Sequence, residues 1–280
     1  MPGTFLFNSV YYNSLAYFVD TSETNLIIFN EYALHNGTTH IVQKLKDDNI
    51  ADRDLTVDKI PRGNGGFIVK DNDRSKVIEM IMRISADTAD ELEAELHALR
   101  RAIVKQNGSL LIRKDSGEVI EYIATLQNGS GIINREHYHR TFVPISLSFL
   151  VVDGRGRLED YTVQDYFSQT DLEFQDDFVH DGSSEAKPVY ILSFSAAVGV
   201  TEIEIENETT GKIITITEAI SAGDYVRVDV ENAEVTINGA LVNYAGVFPE
   251  LQAGSNSIRI TIAGTSATYT LTVKHRKTYL

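Results

Sequence analysis

SADTADELEAELHALRRAIVKQNG, residues 85–108, decides how the rest of the chain is read. Ser85 or Asp87 can accept the first free backbone N–H groups of a helix. Asp90 and Glu91 place negative charge in the first turn, where the helix dipole favours it, and Arg100, Arg101 and Lys105 place positive charge near the far end. Leu92, Leu96, Leu99 and Ile103 recur at helical spacing and share one face, leaving Glu91, Glu93 and Glu95 to other sides. The spacing predicts a helix over 86–106, stopped by Asn107-Gly108, a pair able to take the left-handed conformation. No other stretch reads as strongly as a helix. The remainder alternates with the period of strands, so the fold class is mainly β with one long α-helix.

The 280 residues are comfortable for two domains. A hydrophobic content of 42% beside 23% charged residues belongs to a folded chain. With no Cys there is no disulfide and no thiolate metal site, which fits assembly in a reducing cytoplasm. A net charge of −15 opposes broad contact with phosphate backbones and with anionic membranes. Met1 to Asp20 is aromatic but has no basic start, and Asn8, Ser9, Asn13 and Ser14 interrupt any apolar core, so no secretory signal is expected. No apolar run is long enough for a membrane-spanning helix.

Short strands are expected at Phe5–Phe7, Tyr11–Tyr12, Leu15–Val19 and Leu26–Phe29. Alternating apolar positions follow at Ile41 and Leu45 and again at Leu55 and Val57, with Lys46–Asp54 as an exposed loop between them. Pro61-Arg62-Gly63-Asn64-Gly65-Gly66 is a sharp break. Lys76–Ile84 is a strand whose Ile78, Met80, Met82 and Ile84 point one way, and it runs directly into the helix. Lys114-Asp115-Ser116-Gly117 marks a hairpin, Asn128–Gly131 a turn, and Phe142–Val152 a strong strand that closes a first domain at residues 1–152. Residues 153–187 mix acidic residues with Tyr161, Tyr166, Phe167, Phe174 and Phe178 and read as a partly ordered connecting segment. From Pro188, six or more short strands separated by turn signals predict a second domain over 188–280, a sandwich or jelly roll.

Chemistry is sparse. His137 and His139 are spaced as two ligands on one strand face, but no third ligand stands at a recognisable distance, and a solvated face beside Arg135 and Arg140 is the simpler reading. Glu202, Glu204 and Glu206 could supply a glycosidase pair, yet they alternate with Ile203 and Ile205 and so share the outward face of one strand. Asp176, Asp177 and Asp181, or Asp71 and Asp73, lack the spacing of a calcium loop. The Gly63–Gly66 cluster lacks the Lys and Ser/Thr of a phosphate loop. A sugar platform would have to use Tyr225, Tyr244, Phe248 and Tyr269, of which Tyr225 and Tyr269 sit in strand patterns that suit core packing. No catalytic, cofactor-binding or metal residue is assigned, no cofactor is expected, and a structural or interaction protein is favoured over an enzyme.

The order of elements resembles the distal tail protein (Dit) family of siphophages, bacteriophages with long non-contractile tails. In the C-terminal third the resemblance rests on Asn207-Glu208-Thr209-Thr210-Gly211 between isoleucine-rich strands and on Gly223-Asp224 before Val226-Arg227-Val228-Asp229. It continues through Val235-Thr236-Ile237-Asn238-Gly239, Phe248-Pro249-Glu250-Leu251 and Gly254-Ser255-Asn256, and the chain stops at Thr278-Tyr279-Leu280. In the first 152 residues it rests on the strand into Ile84, the helix to Gln106, the Ser116-Gly117 hairpin and the strand through Phe149. The resemblance implies an N-terminal β-sandwich with helix and hairpin that forms a homo-hexameric ring, single or stacked in two, and a C-terminal galectin-like sandwich. It implies a hub at the tail tip or baseplate, with a channel for DNA, whose partners are the major tail tube protein, the tape-measure protein and a tail-associated fibre or receptor-binding protein. The implied place is the virion, after synthesis in the host bacterial cytoplasm, without specific nucleic-acid binding or membrane contact. The alternatives are a carbohydrate-binding adhesin or lectin and a tail-associated glycan hydrolase.

Overall fold

The computed structural model describes residues 27–47, 53–59, 66–73, 75–114, 116–127, 132–133 and 139–280. The strands expected before Leu26, the break at Pro61–Gly65 and the turn at Asn128–Gly131 lie outside these residues. The chain forms two compact units, residues 1–156 with Leu280, and residues 157–279.

In the first unit the strands are β1 (Ile27–Phe29), β2 (Tyr32–His35), β3 (His40–Lys46), β4 (Arg53–Lys59), β5 (Gly66–Asp73) and β6 (Lys76–Ser85). After helix α1 (Ala89–Ile103) come β7 (Gly108–Arg113), β8 (Val119–Leu126), β9 (Ile132–Ile133) and β10 (Phe142–Leu158). β10 and β6 pair antiparallel from Phe142↔Ser85 to Val151↔Lys76. That register sets Val143, Ile145, Leu147 and Phe149 opposite Ile84, Met82, Met80 and Ile78, and all eight are buried.

The sheet order is β2-β1-β7-β8-β10-β6-β3, with β9 also on β10. Its two ends, β2 and β3, are consecutive in sequence. The Asn36 side-chain oxygen accepts from the backbone N–H of Thr38, Thr39 and His40 at 3.0, 3.0 and 2.9 Å and holds the turn between them. Val42 N–H donates to His35 Nδ1 at 3.0 Å across the same gap. The sheet therefore curls into a nearly closed, barrel-like form. The expected N-terminal sandwich is corrected in this respect: among the described residues one curled sheet surrounds the core, and β4 and β5 form a separate two-stranded ribbon.

α1 buries Leu92, Leu96, Leu99 and Ile103, the face predicted for it. Its cap is Thr88. Thr88 Oγ1 accepts from Glu91 N–H at 3.2 Å and Glu91 accepts from Thr88 N–H at 3.0 Å, a reciprocal capping box. Neither expected cap serves: Ser85 ends β6, where its N–H is taken by Thr39 O at 2.8 Å. The helix is accordingly shorter than 86–106, ending at Ile103 with Asn107 in the left-handed region at φ 51. Asn30 donates from its side chain to Ala102 O at 3.1 Å and ties the last turn to the β1–β2 turn. Gly108 is required there, because a Cβ would lie 2.5 Å from the Asn30 amide and 2.6 Å from the Phe29 ring.

The second unit contains β11 (Thr162–Gln169), β12 (Glu173–His180), β13 (Val189–Val198), β14 (Glu202–Asn207), β15 (Lys212–Ile216) and β16 (Tyr225–Asp229). β17 (Glu234–Ile237), β18 (Ala240–Leu241), β19 (Ala245–Gly246), β20 (Gly254–Ala263), β21 (Ser266–His275) and β22 (Thr278–Tyr279) complete it. One antiparallel sheet runs β11-β21-β13-β16-β17-β18 and the other β12-β20-β14-β15-β19. Leu192, Val226 and Leu271 of the first and Ile203, Ile214 and Ile260 of the second belong to one buried core. Residues 153–187, read as a connection, instead carry the end of β10 and the whole of β11 and β12. The rings of that stretch are the reason: Tyr166 packs edge-on against Phe174 at 4.9 Å and Phe178 at 5.8 Å, while Glu173 and Asp177 take the outward positions of β12.

Leu96 is 2% exposed beneath α1. Leu96→Ala should cost the first unit about 2–5 kcal/mol, read as a lowered urea midpoint.

Candidate functional site

Of the histidine pair, His137 lies outside the described residues, and His139 is exposed with its ring stacked on Phe142 at 4.8 Å. Among the described residues no three His, Asp or Glu side chains stand close enough together to hold a metal. Glu202, Glu204 and Glu206 lie on β14 between the fully buried Ile203 and Ile205. Glu206 is ion-paired with Arg259, whose guanidinium also lies 3.4 Å from Glu208 and 3.8 Å from Glu173. This is a cross-linked outer face, and it holds its carboxylates as charge partners.

Asp176 and Asp177 are strand residues of β12, and Asp176 accepts from the Tyr166 hydroxyl at 2.5 Å. Burial and that carboxylate hold the Tyr166 phenol well above its usual range. Asp181 instead pairs with Lys277 at 3.3 Å. Asp71 and Asp73 belong to β5 and not to a loop. Among the aromatic candidates Tyr269 is buried, as its strand pattern implied, but Tyr225 is 36% exposed because Val226 and Val228 take the inward positions of β16. Tyr244 and Phe248 meet edge-on at 4.9 Å, beside the exposed Leu241 and Val247.

The turns that carried the family resemblance are bonded to one another. Asn207, fully buried, donates to Glu250 O at 2.6 Å and Asn256 Oδ1 at 3.1 Å, and accepts from Thr209 N–H at 3.0 Å. Asn256, also fully buried, accepts from Gln252 N–H at 2.9 Å and donates to Gln252 O and Gly254 O at 2.8 and 3.0 Å. The Asn207 turn thus forms one polar block with the turns at Glu250 and Asn256, 43 and 49 positions further on, and its buried groups are satisfied. A second pair is built the same way. Asn238 accepts from Tyr225 N–H at 2.9 Å and donates to Asp224 at 2.8 Å, and the bond to Asp224, with one from Ser221 N–H, holds that carboxyl below its ordinary range.

Two buried histidines escaped sequence reasoning, since nothing local marks them. His180 and His275 stand edge to face at 5.5 Å and are 0% and 1% exposed. His180 Nε2 donates to Ser184 O at 2.8 Å. The Nδ1 atoms of both rings have no hydrogen-bond partner. Ser183 and Ser184 N–H both donate to Thr278 O, and Gly182 leaves no room for a Cβ, which would lie 2.3 Å from that oxygen. Burial first, then the other imidazole and Lys277, push His275 down to about 4, and burial lowers His180 as well, with Asp181 acting against both shifts.

Asn207→Ala should strand the Glu250 carbonyl and cost about 1–3 kcal/mol, read by urea denaturation of the full chain. For the histidines, the folded state keeps both rings neutral while the unfolded chain takes up protons at its ordinary pKa of 6.5. Their contribution is therefore complete above that pH and lost as the pH falls from 6.5 towards 4, on the order of 2–3 kcal/mol. Denaturation at pH 7 and pH 5 should show the loss, and His275→Leu should flatten it.

Residues 181–279 match the family profile described as the siphovirus-type tail component, C-terminal domain. A crystal structure of the SPP1 Dit protein, described as a paradigm of the hub adsorption apparatus of phages infecting Gram-positive bacteria, is similar over 91% of this chain and 99% of that one, with a TM-score of 0.67 and 13% identity. A chain of the phage P2 baseplate, in its activated conformation with calcium, aligns over 84% of this chain and 90% of its own, with a TM-score of 0.42 and 9% identity. Comparison with curated protein sequences found no match. Residues 181–279 thus match the siphovirus-type tail-component domain, and the fold is similar to that of a Dit protein through both units.

Proposed function

We propose that the protein is a structural hub of a siphophage tail. The observation that carries this reading is the fold similarity to SPP1 Dit along almost the whole length of both chains. In this reading the first unit closes a homo-hexameric ring, single or doubled, at the distal end of the tail tube. The second unit, with its two sheets around one core, is the galectin-like domain that projects from the ring. The ring joins the tube to the tail tip or baseplate and leaves a channel for DNA. Its partners are the major tail tube protein, the tape-measure protein and a fibre or receptor-binding protein, and its place is the virion, after assembly in the host cytoplasm. The protein does no catalysis in this role.

Physical features support the reading. The ribbon of β4 and β5 pairs with no other strand among the described residues, and an isolated two-stranded ribbon is marginal in water. A neighbouring copy in a closed ring of heterologous contacts would cover it. A net charge of −15 also disfavours adhesion of DNA passing through a lumen. The second reading, a tail-tip or surface lectin, is favoured only by the exposed Tyr244 beside Phe248 and by Tyr225.

Light scattering of the purified chain should give a mass six or twelve times its 31.1 kDa, and negative-stain images should show rings. Leu96→Asp should unfold the first unit and abolish them. A monomer at micromolar concentration that binds on a glycan array would instead establish the lectin.

A further inference from the structure

We propose that the open flank of the second unit, formed by β11 and β12, docks an extended segment of another protein that alternates basic and apolar residues along one of its faces. Each of these strands ends a sheet: β11 borders the six-stranded sheet beside β21, and β12 borders the five-stranded sheet beside β20. Each is eight residues long and leaves one row of backbone N–H and C=O groups without a strand partner among the described residues.

The two edge strands carry one sign of charge, with Lys274 of β21 standing cross-strand from Val163. Residues 158–186 contain nine Asp and Glu and no Lys or Arg. Some of these carboxylates are engaged from inside the unit, Asp176 by Tyr166 and Asp181 by Lys277. Asp165 and Asp177, on the two edge strands, are exposed, with Asp165 also accepting from the Thr272 hydroxyl of β21.

The flank also presents apolar side chains. Val163 and Phe167 lie on the same face of β11 as Asp165 and are 47% and 71% exposed, and Val179 of β12 is 56% exposed. The exposure of Phe167 is built in. Pairing with β21 jumps from Tyr166↔Leu271 to Gln169↔Tyr269, and Ser168 takes φ 52. The Gln169 side chain donates to Phe167 O at 3.1 Å across this bulge. Tyr166 is held inside by Phe174 and Phe178, so the bulge delivers its neighbour outward.

An edge protected only against aggregation carries charge without large apolar groups. Here Val163, Asp165 and Phe167 alternate in one row, and a strand that adds to this edge meets them with alternating apolar and basic side chains. A second copy of the chain would bring the same acidic flank against itself, and nucleic acid would bring phosphate; like charge disfavours both. The inference does not depend on ring formation.

The test uses the full chain and two synthetic octapeptides, Val-Ser-Lys-Ser-Val-Ser-Lys-Ser, whose one face alternates apolar and basic groups, and the same peptide with Glu for Lys, with titration calorimetry for affinity and amide hydrogen exchange over residues 162–169. The Lys peptide should bind and slow exchange there, while the Glu peptide should not bind. Phe167→Ser should weaken binding about tenfold or more, as should the double change Asp165→Lys with Asp177→Lys. Glu218→Lys with Glu234→Lys makes the same change in net charge away from the edge strands and should leave affinity within about twofold. These positions lie outside the buried core, so melting curves should stay close to that of the parent. Three results would each overturn the proposal. One is no binding. Another is binding that Phe167→Ser spares and that both charge reversals weaken equally, which would be bulk attraction to an acidic protein. The last is self-association abolished by Phe167→Ser, which would make a second copy the occupant.

Discussion

The first unit depends on the pairing of β6 with β10. Ten consecutive residue pairs leave no slack in register, and a slip by one residue would turn Ile78, Met80, Met82 and Ile84 to the opposite face. Because β6 ends at Ser85, that register also fixes where the chain leaves the sheet and where Thr88 begins the helix. α1 then returns to the sheet through Asn30 and Gly108, one by a hydrogen bond to the last turn and the other by having no side chain. Burial of Leu92, Leu96, Leu99 and Ile103 follows from the placement of both helix ends.

The second unit is stabilised differently. Its core is a continuous apolar layer of isoleucine, valine and leucine, which many β patterns could supply. What makes the arrangement particular is the buried amide network of Asn207 and Asn256. A satisfied polar network admits few alternatives, since each competing arrangement strands a donor or acceptor in the core. Three of the turns by which the sequence resembles the Dit family are those that this network joins. The resemblance therefore follows hydrogen-bonding requirements as well as turn propensity.

The periodic features of the fold were legible in the sequence. The buried face of α1, the inward set of β6 and the outward row Glu202, Glu204 and Glu206 all follow from spacing alone. Features that depend on distant partners were not. Ser85, Asp87 and Thr88 are all competent caps by type, and the choice was made by β6, which keeps Ser85 in the sheet. The curl of the first sheet depends on Asn36 and His35 bridging β2 to β3. β11 and β12 were hidden because alternating acids and rings suit a covered connection as well as an edge strand, and only pairing with β21 and β20 decides between them. Turn chemistry gave each of Asn207 and Asn256 a local role, while the bond between them spans 49 positions.

Charge is divided unevenly between the two units, and this bears on assembly. Residues 157–279 hold nineteen Asp and Glu against eight Lys and Arg, so they carry −11 of the total of −15. The first unit, with the remaining −4, is close to balanced. In a closed ring the same surface patch recurs on every copy, so a strongly charged ring-forming unit would be repelled by its neighbours at every contact. At physiological salt such repulsion is screened over about 8 Å. Charge borne on a projecting unit would therefore contribute little across an interface made by the other. A ring of such proteins would keep the solubility that a large net charge confers and spare its contacts the repulsion.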